Sequence, residues 1–556
     1  MTPGSVSATA WRERTVALGR TAAGAMLPTM PVRLRSPASR SSRLWGWLGP
    51  LGVMLIAAVL RLWRLGEPEI VLFDETYYAK DAYSLLQHGY VREFTESAND
   101  RIVDGKLTGI FKPEVTQIVH PDGGKWLIAA GEQIFGMTPF GWRVSAAIAG
   151  ALTVLILCRL VRRMTGSTLL GCVAGLLLAT DGLHLVVSRL ALLDIFVGLW
   201  VVCAASCLVA DRDWARGRFA QAATTDVRGW GPVRGLLVRP WRIAAGACFG
   251  AACGTKWSGL YALAAFALLS WAWDARARSA LGVRVAWLRS AVVDGLPAFV
   301  SLVVVGLGVY LTTWIGFFRH RSEYEDRFGH GYGDEPAWGA YLDSPATSWP
   351  GTWADALHSL WNYHQMIYRF HTGDYLAGKT HPYGSNPQGW LLLNRPVGIE
   401  AQNDLPRSTP GCNAEQGDTC MRQILALGNP VLWWVGAAAL MVCIVLLVVR
   451  RDWRYTVPLL AVGSGWLPWL RFDDRPIFLF YATAFVPFTA MAIALVFGWA
   501  LGPPGADRGR RRLVAGLLVV MLALQLAAFA YFWPIWTGEL ITRSQWHGRM
   551  WFDRWV

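Results

Sequence analysis

Leu44 to Leu62 is an almost unbroken apolar run, the first of many in this chain long enough to cross a bilayer. Backbone immersed in lipid has no water to bond with, so each run must satisfy its own N–H and C=O groups. That leaves helices or a closed barrel, and no stretch alternates apolar and polar residues as barrel strands do. About eleven spans are expected, over residues 44–64, 140–161, 168–186, 190–210, 242–256, 257–273, 290–316, 430–449, 455–470, 477–500 and 513–535. Of the 556 residues, 54% are hydrophobic and only 16% charged, which excludes an ordinary soluble globule. The chain reads as an all-α polytopic membrane protein.

The net charge of +14 does not point to nucleic acid, because the basic residues are gathered in short connections. They stand at Arg159/Arg162/Arg163, Arg276/Arg278/Arg284/Arg289, Arg450/Arg451/Arg454 and Arg508/Arg510/Arg511/Arg512. With the N-terminus inside, all of these fall on the cytoplasmic side, as the positive-inside rule requires. The expected parts are a disordered basic leader over 1–43 and a membrane module over 44–316 that includes a first external loop, 65–139. A long external loop follows over 317–429, then a four-helix module over 430–536 and an external tail over 537–556. Within the first loop, Tyr77 to His88 and Gly123 to Phe135 are amphipathic and suit the membrane interface. Seven of nine cysteines lie in or beside apolar spans and read as packing residues. Cys412 and Cys420 lie in the long external loop, where a disulfide is expected.

The polar groups in and beside the spans gather on the external side. Phe73-Asp74-Glu75 follows the first span, and His120-Pro121-Asp122-Gly123-Gly124-Lys125 lies further along the same loop. Arg143 opens the second span, Ser188-Arg189 to Asp194 joins the third and fourth, and Gly254-Thr255-Lys256-Trp257 joins the fifth and sixth. Arg471-Phe472-Asp473-Asp474-Arg475 joins the ninth and tenth. Each alone has a plain explanation. An Asp-Glu pair suits a helix N-terminus, and a Lys or Arg near a helix end snorkels to the headgroups. Together they form a one-sided set of costly ionisable groups, the pattern of a functional site.

This constellation resembles the protein O-mannosyltransferase family, whose members share a polytopic GT-C glycosyltransferase fold. The resemblance covers the chain from about residue 44 onward. It rests on Arg61-Leu62-Trp63-Arg64, Phe73-Asp74-Glu75, Val119-His120-Pro121 with Lys125, Ser188-Arg189 with Leu193-Asp194, and Thr255-Lys256-Trp257. The block His371-Thr372-Gly373, His381-Pro382-Tyr383-Gly384-Ser385 and Trp390-Leu391-Leu392 looks like the bacterial branch. Asp122 departs from the family, which commonly has a second Pro or a small residue there.

The resemblance implies transfer of mannose from a polyprenyl phosphate to Ser or Thr hydroxyls of secreted proteins, with inversion at C1. It implies Asp74 as general base, with Glu75 orienting Asp74, an Arg or the acceptor. A leaving lipid phosphate needs cations where its charge develops. Arg143 and Lys256 come first for this, then Arg189 and Arg475, with Arg61, His120, Lys125 and Asp194 in support. His371, His381, Tyr383 and Trp390 are candidates for acceptor or sugar contact, although interfacial anchoring is the commoner role of such aromatics. No Asp-x-Asp motif stands among the external elements, the loop histidines lack metal-ligand spacing, and Asp473-Asp474 looks paired with Arg471 and Arg475, so a metal-independent site without cofactor is expected. The implied partners are the lipid donor, a Ser/Thr-rich secreted acceptor, membrane lipids and the secretion translocon; the implied place is the cell membrane, with the active site outside the cytoplasm. A transferase of another polyprenyl-phosphate sugar, or one with a glycan or lipid acceptor, is the nearest alternative. A transporter or flippase fits less well, because its polar groups would run through the membrane depth.

Overall fold

The computed structural model describes residues 40–222, 229–233, 235–503 and 505–556; the expected basic leader lies, up to residue 39, outside them. Among the described residues, six helices are long and apolar enough to cross a membrane: Arg43–Leu62, Pro139–Thr165, Asp194–Gln221, Gly295–Thr312, Pro430–Arg450 and Arg508–Thr537. The other expected spans coincide with further helices: Thr168–Ala179 followed by Gly182–Val187, then Pro240–Cys253, Gly259–Ala280, Thr456–Trp466 and Val486–Leu501.

Local sequence explains the ends. Thr138 caps Pro139–Thr165 by accepting from Gly141 N, Pro139 fits the first turn, and Gly166 closes the helix in the left-handed region at φ 78°. The break between Thr168–Ala179 and Gly182–Val187 exposes backbone groups that lipid cannot satisfy. Asp181 answers by accepting from His184 N, Asn429 N and Trp433 Nε1. Asn429 Nδ2 and Gln525 Nε2 both donate to Thr180 O. A buried polar seam thus ties the N-terminal helices to the C-terminal four.

Two other features set up the site. Helix Pro240–Cys253 packs so closely on Val300–Thr312 that a Cβ at Gly246 would lie 1.9 Å from Ser301 O, and one at Gly250 would lie 2.3 Å from Gly306 O. Small residues at such a seam let the backbones meet and leave a groove beside them. In the second loop, helix Trp349–Thr372 buries Leu360, Tyr363, Met366 and Ile367 against Trp314, Phe317, Tyr324 and Phe328. Its other face exposes Trp349, Trp353, Leu357, Trp361 and Tyr368.

Strands are few. In the first loop β1 (Arg92–Phe94) pairs with β2 (Phe111–Val115). In the second loop β3 (Val397–Leu405) pairs with β4 (Cys420–Ala426), and β4 with β5 (Ile541–Thr542). The C-terminal tail is therefore docked: β5 and helix Arg543–Arg549 lie on this sheet, and Trp555 Nε1 donates to Leu393 O at 2.6 Å. Cys412 and Cys420 are disulfide-bonded across the β3–β4 connection.

In intact cells, an impermeant thiol reagent should modify Lys106→Cys and Lys379→Cys, both exposed in the two loops expected outside, and reach exposed Ser279→Cys only after permeabilisation. Labelling at position 279 in intact cells would reverse the orientation. Replacing Cys412 and Cys420 by Ser should reduce stability by about 2–3 kcal/mol, from the restored freedom of a short loop, while leaving most activity. Unchanged heat inactivation of that double variant would contradict it.

Candidate active site

The two acids of Asp74-Glu75 have opposite surroundings. Glu75 is fully buried. Its Oε1 accepts from Arg143 Nε at 2.8 Å and Ala191 N at 3.1 Å; its Oε2 accepts from Arg143 Nη2 at 2.9 Å and Leu72 N at 2.9 Å. Arg143 also donates from Nη1 to Leu65 O and Pro68 O, and from Nη2 to Ile70 O. All five guanidinium N–H groups therefore have acceptors within the protein. Arg143 is expected from sequence to hold the donor phosphate; the structure corrects this, since it has no N–H left and is 1% exposed. Glu75 likewise cannot reach a substrate. The pair is a bidentate clamp joining the first loop to the second span and to the Arg189–Leu193 turn.

Asp74 is half-buried, and none of the described residues hydrogen-bonds its carboxylate. It precedes helix Glu75–His88 but does not cap it with its side chain, so a capping role does not account for it. Phe73, just before, is in the left-handed region at φ 46°, which costs a residue with a Cβ about 1–3 kcal/mol. Edge-on contacts of its ring with Phe478 and Phe480, each at 5.7 Å, and with His381 at 6.0 Å hold it there. Burial pushes the Asp74 carboxyl up to about 6; the Lys256 charge opposes this, and Asp194 adds to it.

A cavity of about 490 Å³ is lined in part by Lys256, whose charge acts on Asp74; Asp74 itself is not part of the lining. Lys256, His120, His371, Arg475 and Tyr481 line one part of it, and Gly250, Leu263, Val303, Gly306 and Leu307 line another. Lys256 Nζ bonds both carboxylate oxygens of Asp194 at 3.1 Å and lies 4.0 Å over the Tyr481 ring. Arg475 Nη1 donates to His371 O at 2.7 Å, while its buried Nε has no partner among the described residues. The rings of His371 and His120 stack at 5.3 Å, and His371 Nε2 bonds Val119 O at 2.9 Å. Burial, aided by Lys256 and other nearby cations, holds His120 well below its ordinary range; burial lowers His371 to about 4. Both are neutral imidazoles near pH 7.

Lys125 is buried between Asp81 at 3.0 Å and Asp122 at 3.2 Å, so Asp122 serves to anchor it. This triad fixes the His120–Gly124 turn, whose Gly123 N donates to Gly254 O at 2.9 Å next to Lys256. Three expected contacts are corrected. Arg189 donates to Arg61 O, Trp63 O and Arg64 O at the end of the first span and is a helix-end anchor. Trp390 is fully buried, with Nε1 on Ser385 O, and cannot stack on a sugar. No ion pair joins Asp473 or Asp474 to Arg471 or Arg475 among the described residues; Arg475 turns to His371 instead. Arg61 is buried on Ser188 Oγ and His184 Nδ1, away from the cavity lining. His381 is exposed beside Phe73, and Tyr383 packs on Gly398. Sequence reasoning missed Asp81 and Tyr481; for Tyr481, the aromatic run Phe478 to Tyr481 beside the Arg475 motif was the available signal.

A family model described as dolichyl-phosphate-mannose-protein mannosyltransferase matches residues 52–313. A second, described as the C-terminal four-transmembrane region of protein O-mannosyltransferase, matches 356–555. The chain belongs to the protein O-mannosyltransferase family. The polyprenol-phosphate-mannose–protein mannosyltransferase of Mycobacterium tuberculosis is 36% identical over 95% of each chain. That of Corynebacterium glutamicum is 33% identical over 87% of this chain and 88% of its own. The fold matches the S. cerevisiae protein O-mannosyltransferase Pmt1–Pmt2 complex bound to the sugar donor, with a TM-score of 0.65 at 14% identity over 94% of each chain. The GT-C fold expected from the motifs is thus present.

If Glu75 and Arg143 form a structural clamp, Glu75→Gln leaves a buried guanidinium unpaired and should lower stability by about 3–5 kcal/mol. The measurement is heat inactivation of detergent-solubilised protein. A wild-type Tm with selectively weakened donor binding would return Arg143 to the phosphate.

Proposed function

We propose that this protein transfers mannose from polyprenyl-phosphate mannose to Ser or Thr hydroxyls of secreted polypeptides, on the external face of the cell membrane. The carrying observation is one cavity lined by the cations Lys256 and Arg475 and by the apolar Gly250, Leu263 and Leu307, with the unbonded Asp74 carboxylate in the field of Lys256. A polyprenyl phosphate is a charged head on an apolar tail, and the cavity has that polarity. The family assignment and the names of the mycobacterial and corynebacterial relatives support the sugar and the acceptor.

In the proposed reaction, Asp74 accepts the proton of the acceptor hydroxyl as its oxygen attacks C1. The bond from C1 to the phosphate oxygen breaks, and its electron pair stays on the lipid phosphate. One displacement inverts C1. Lys256, compact and held by Asp194, and Arg475, with its free Nε, stabilise the charge gained by the phosphate. Neutral His120 and His371 add hydrogen-bonding capacity without a competing charge. Lipid neighbours close the groove, and an unfolded segment emerging from the secretion translocon would supply the acceptor.

Membranes containing the chain should transfer radiolabel from polyprenyl-phosphate mannose to a Thr-rich peptide. Transfer from another polyprenyl-phosphate sugar in preference to mannose would overturn the assignment.

Asp74→Asn should lower the transfer rate about 10²–10⁴-fold while retaining donor binding. The base acts when deprotonated, so kcat/KM of the wild type should rise with pH up to about 6, where Asp74 titrates, and level off above. The residual activity of Asp74→Asn should lack that limb. A flat wild-type profile between pH 5 and 7 would remove Asp74 as the base.

A further inference from the structure

A second cavity, of about 460 Å³, lies between the turn after the first span and the β3–β4 sheet. Its floor includes Pro68 and Glu69, its roof Glu400 and Gln402 of β3 with Arg422 of β4, and its end wall Glu539. Glu400 and Gln402 are two apart on one strand and so share a face; they pair with Ile424 and Arg422. β3 pairs with β4 alone, leaving its outer edge without a strand partner among the described residues.

The charges here are unequal. Arg189 donates to backbone carbonyls but keeps its charge, and Arg64 is paired with Glu67. The side chains of Glu69, Glu400 and Arg422 make no hydrogen bond or ion pair with the described residues. Glu539 accepts only from Trp533 Nε1. Over the whole lining, the four carboxylates of Glu67, Glu69, Glu400 and Glu539 exceed the three guanidiniums of Arg64, Arg189 and Arg422 by one. Such a cleft repels a phosphate and attracts a cation on a flexible chain. The floor is strapped to the active site, since Arg143 donates to Pro68 O and Ile70 O while gripping Glu75. Glu69 and Asp74 are five residues apart, so at most about 17 Å of extended chain separates them.

We propose that this cleft binds the extended acceptor polypeptide a few residues from the modified hydroxyl and selects segments carrying Lys or Arg at that distance. The inference rests on the mannosyl-transfer reading for the identity of the polypeptide. A strand with an unpaired edge and alternating polar side chains is suited to reading an extended peptide, and the unbonded carboxylates of Glu69 and Glu400 supply the preference.

The test uses the full-length protein in proteoliposomes with polyprenyl-phosphate mannose and two Thr peptides, one flanked by Lys and one by Gln. Glu69→Gln and Glu400→Gln should each raise KM for the Lys-flanked peptide about threefold to fivefold, and together about tenfold. Turnover, donor KM and the Gln-flanked peptide should be unaffected. Equal KM values for both peptides in the wild type, unaltered in the variants, would overturn the proposal. Independently, p-benzoylphenylalanine at Gln402 should cross-link the Lys-flanked peptide; cross-linking to vesicle phospholipid alone would assign the cleft to lipid and overturn it. If the p-benzoylphenylalanine protein cross-links the peptide while wild-type protein mannosylates neither peptide, the transferase reading fails and the polypeptide cleft stands.

Discussion

The bidentate pair of Arg143 with Glu75 holds the candidate site together. A guanidinium with five donors and a carboxylate with four accepted bonds are both out of water, and neither is left with an unmet partner. Removing either leaves a buried charge, so the pair is all-or-none. Through it the 65–70 turn, the start of helix Glu75–His88, the second span and the 189–193 turn share one geometry. Asp74 gains its place from that geometry. With its neighbour locked, its own carboxylate is free to remain unbonded and half-buried, the condition a base requires.

Adjacent acids therefore divide the work by environment rather than by type. The cations divide in the same way. Arg143 is saturated by Glu75 and backbone carbonyls, and Arg189 is anchored to carbonyls at the end of the first span, whereas Lys256 and Arg475 line the cavity and keep capacity for a phosphate. The Asp81–Lys125–Asp122 triad and the Gly123–Gly254 contact bring the second group to the first. The close seam at Gly246, Gly250 and Gly306 supplies the apolar groove below.

Sequence alone reached the helical class, because lipid permits few backbone solutions, and it reached the motifs that meet at the site. It ranked the cations poorly. Arg143 and Arg475 look alike in a sequence, and only the positions of carbonyl groups from distant turns show which is already satisfied. Trp390 misled for a similar reason: an aromatic in an external loop reads as a surface residue until its burial is seen. Tyr481 and Asp81 act through neighbours hundreds or tens of residues away, a relation no local spacing records. The helix broken at Thr180 reads as a continuous run, since apolar composition persists on both sides of the interruption.

The central claim is that Lys256 and Arg475 receive the lipid phosphate while Arg143 stays on Glu75. An electron cryomicroscopy structure in nanodiscs, with a non-transferable polyprenyl-phosphate mannose analogue, tests it directly. The account predicts phosphate oxygens within hydrogen-bond distance of Lys256 Nζ and Arg475 Nε, C1 turned toward Asp74, and the Arg143–Glu75 pair intact. A phosphate bound by an Arg143 that has left Glu75 would contradict it.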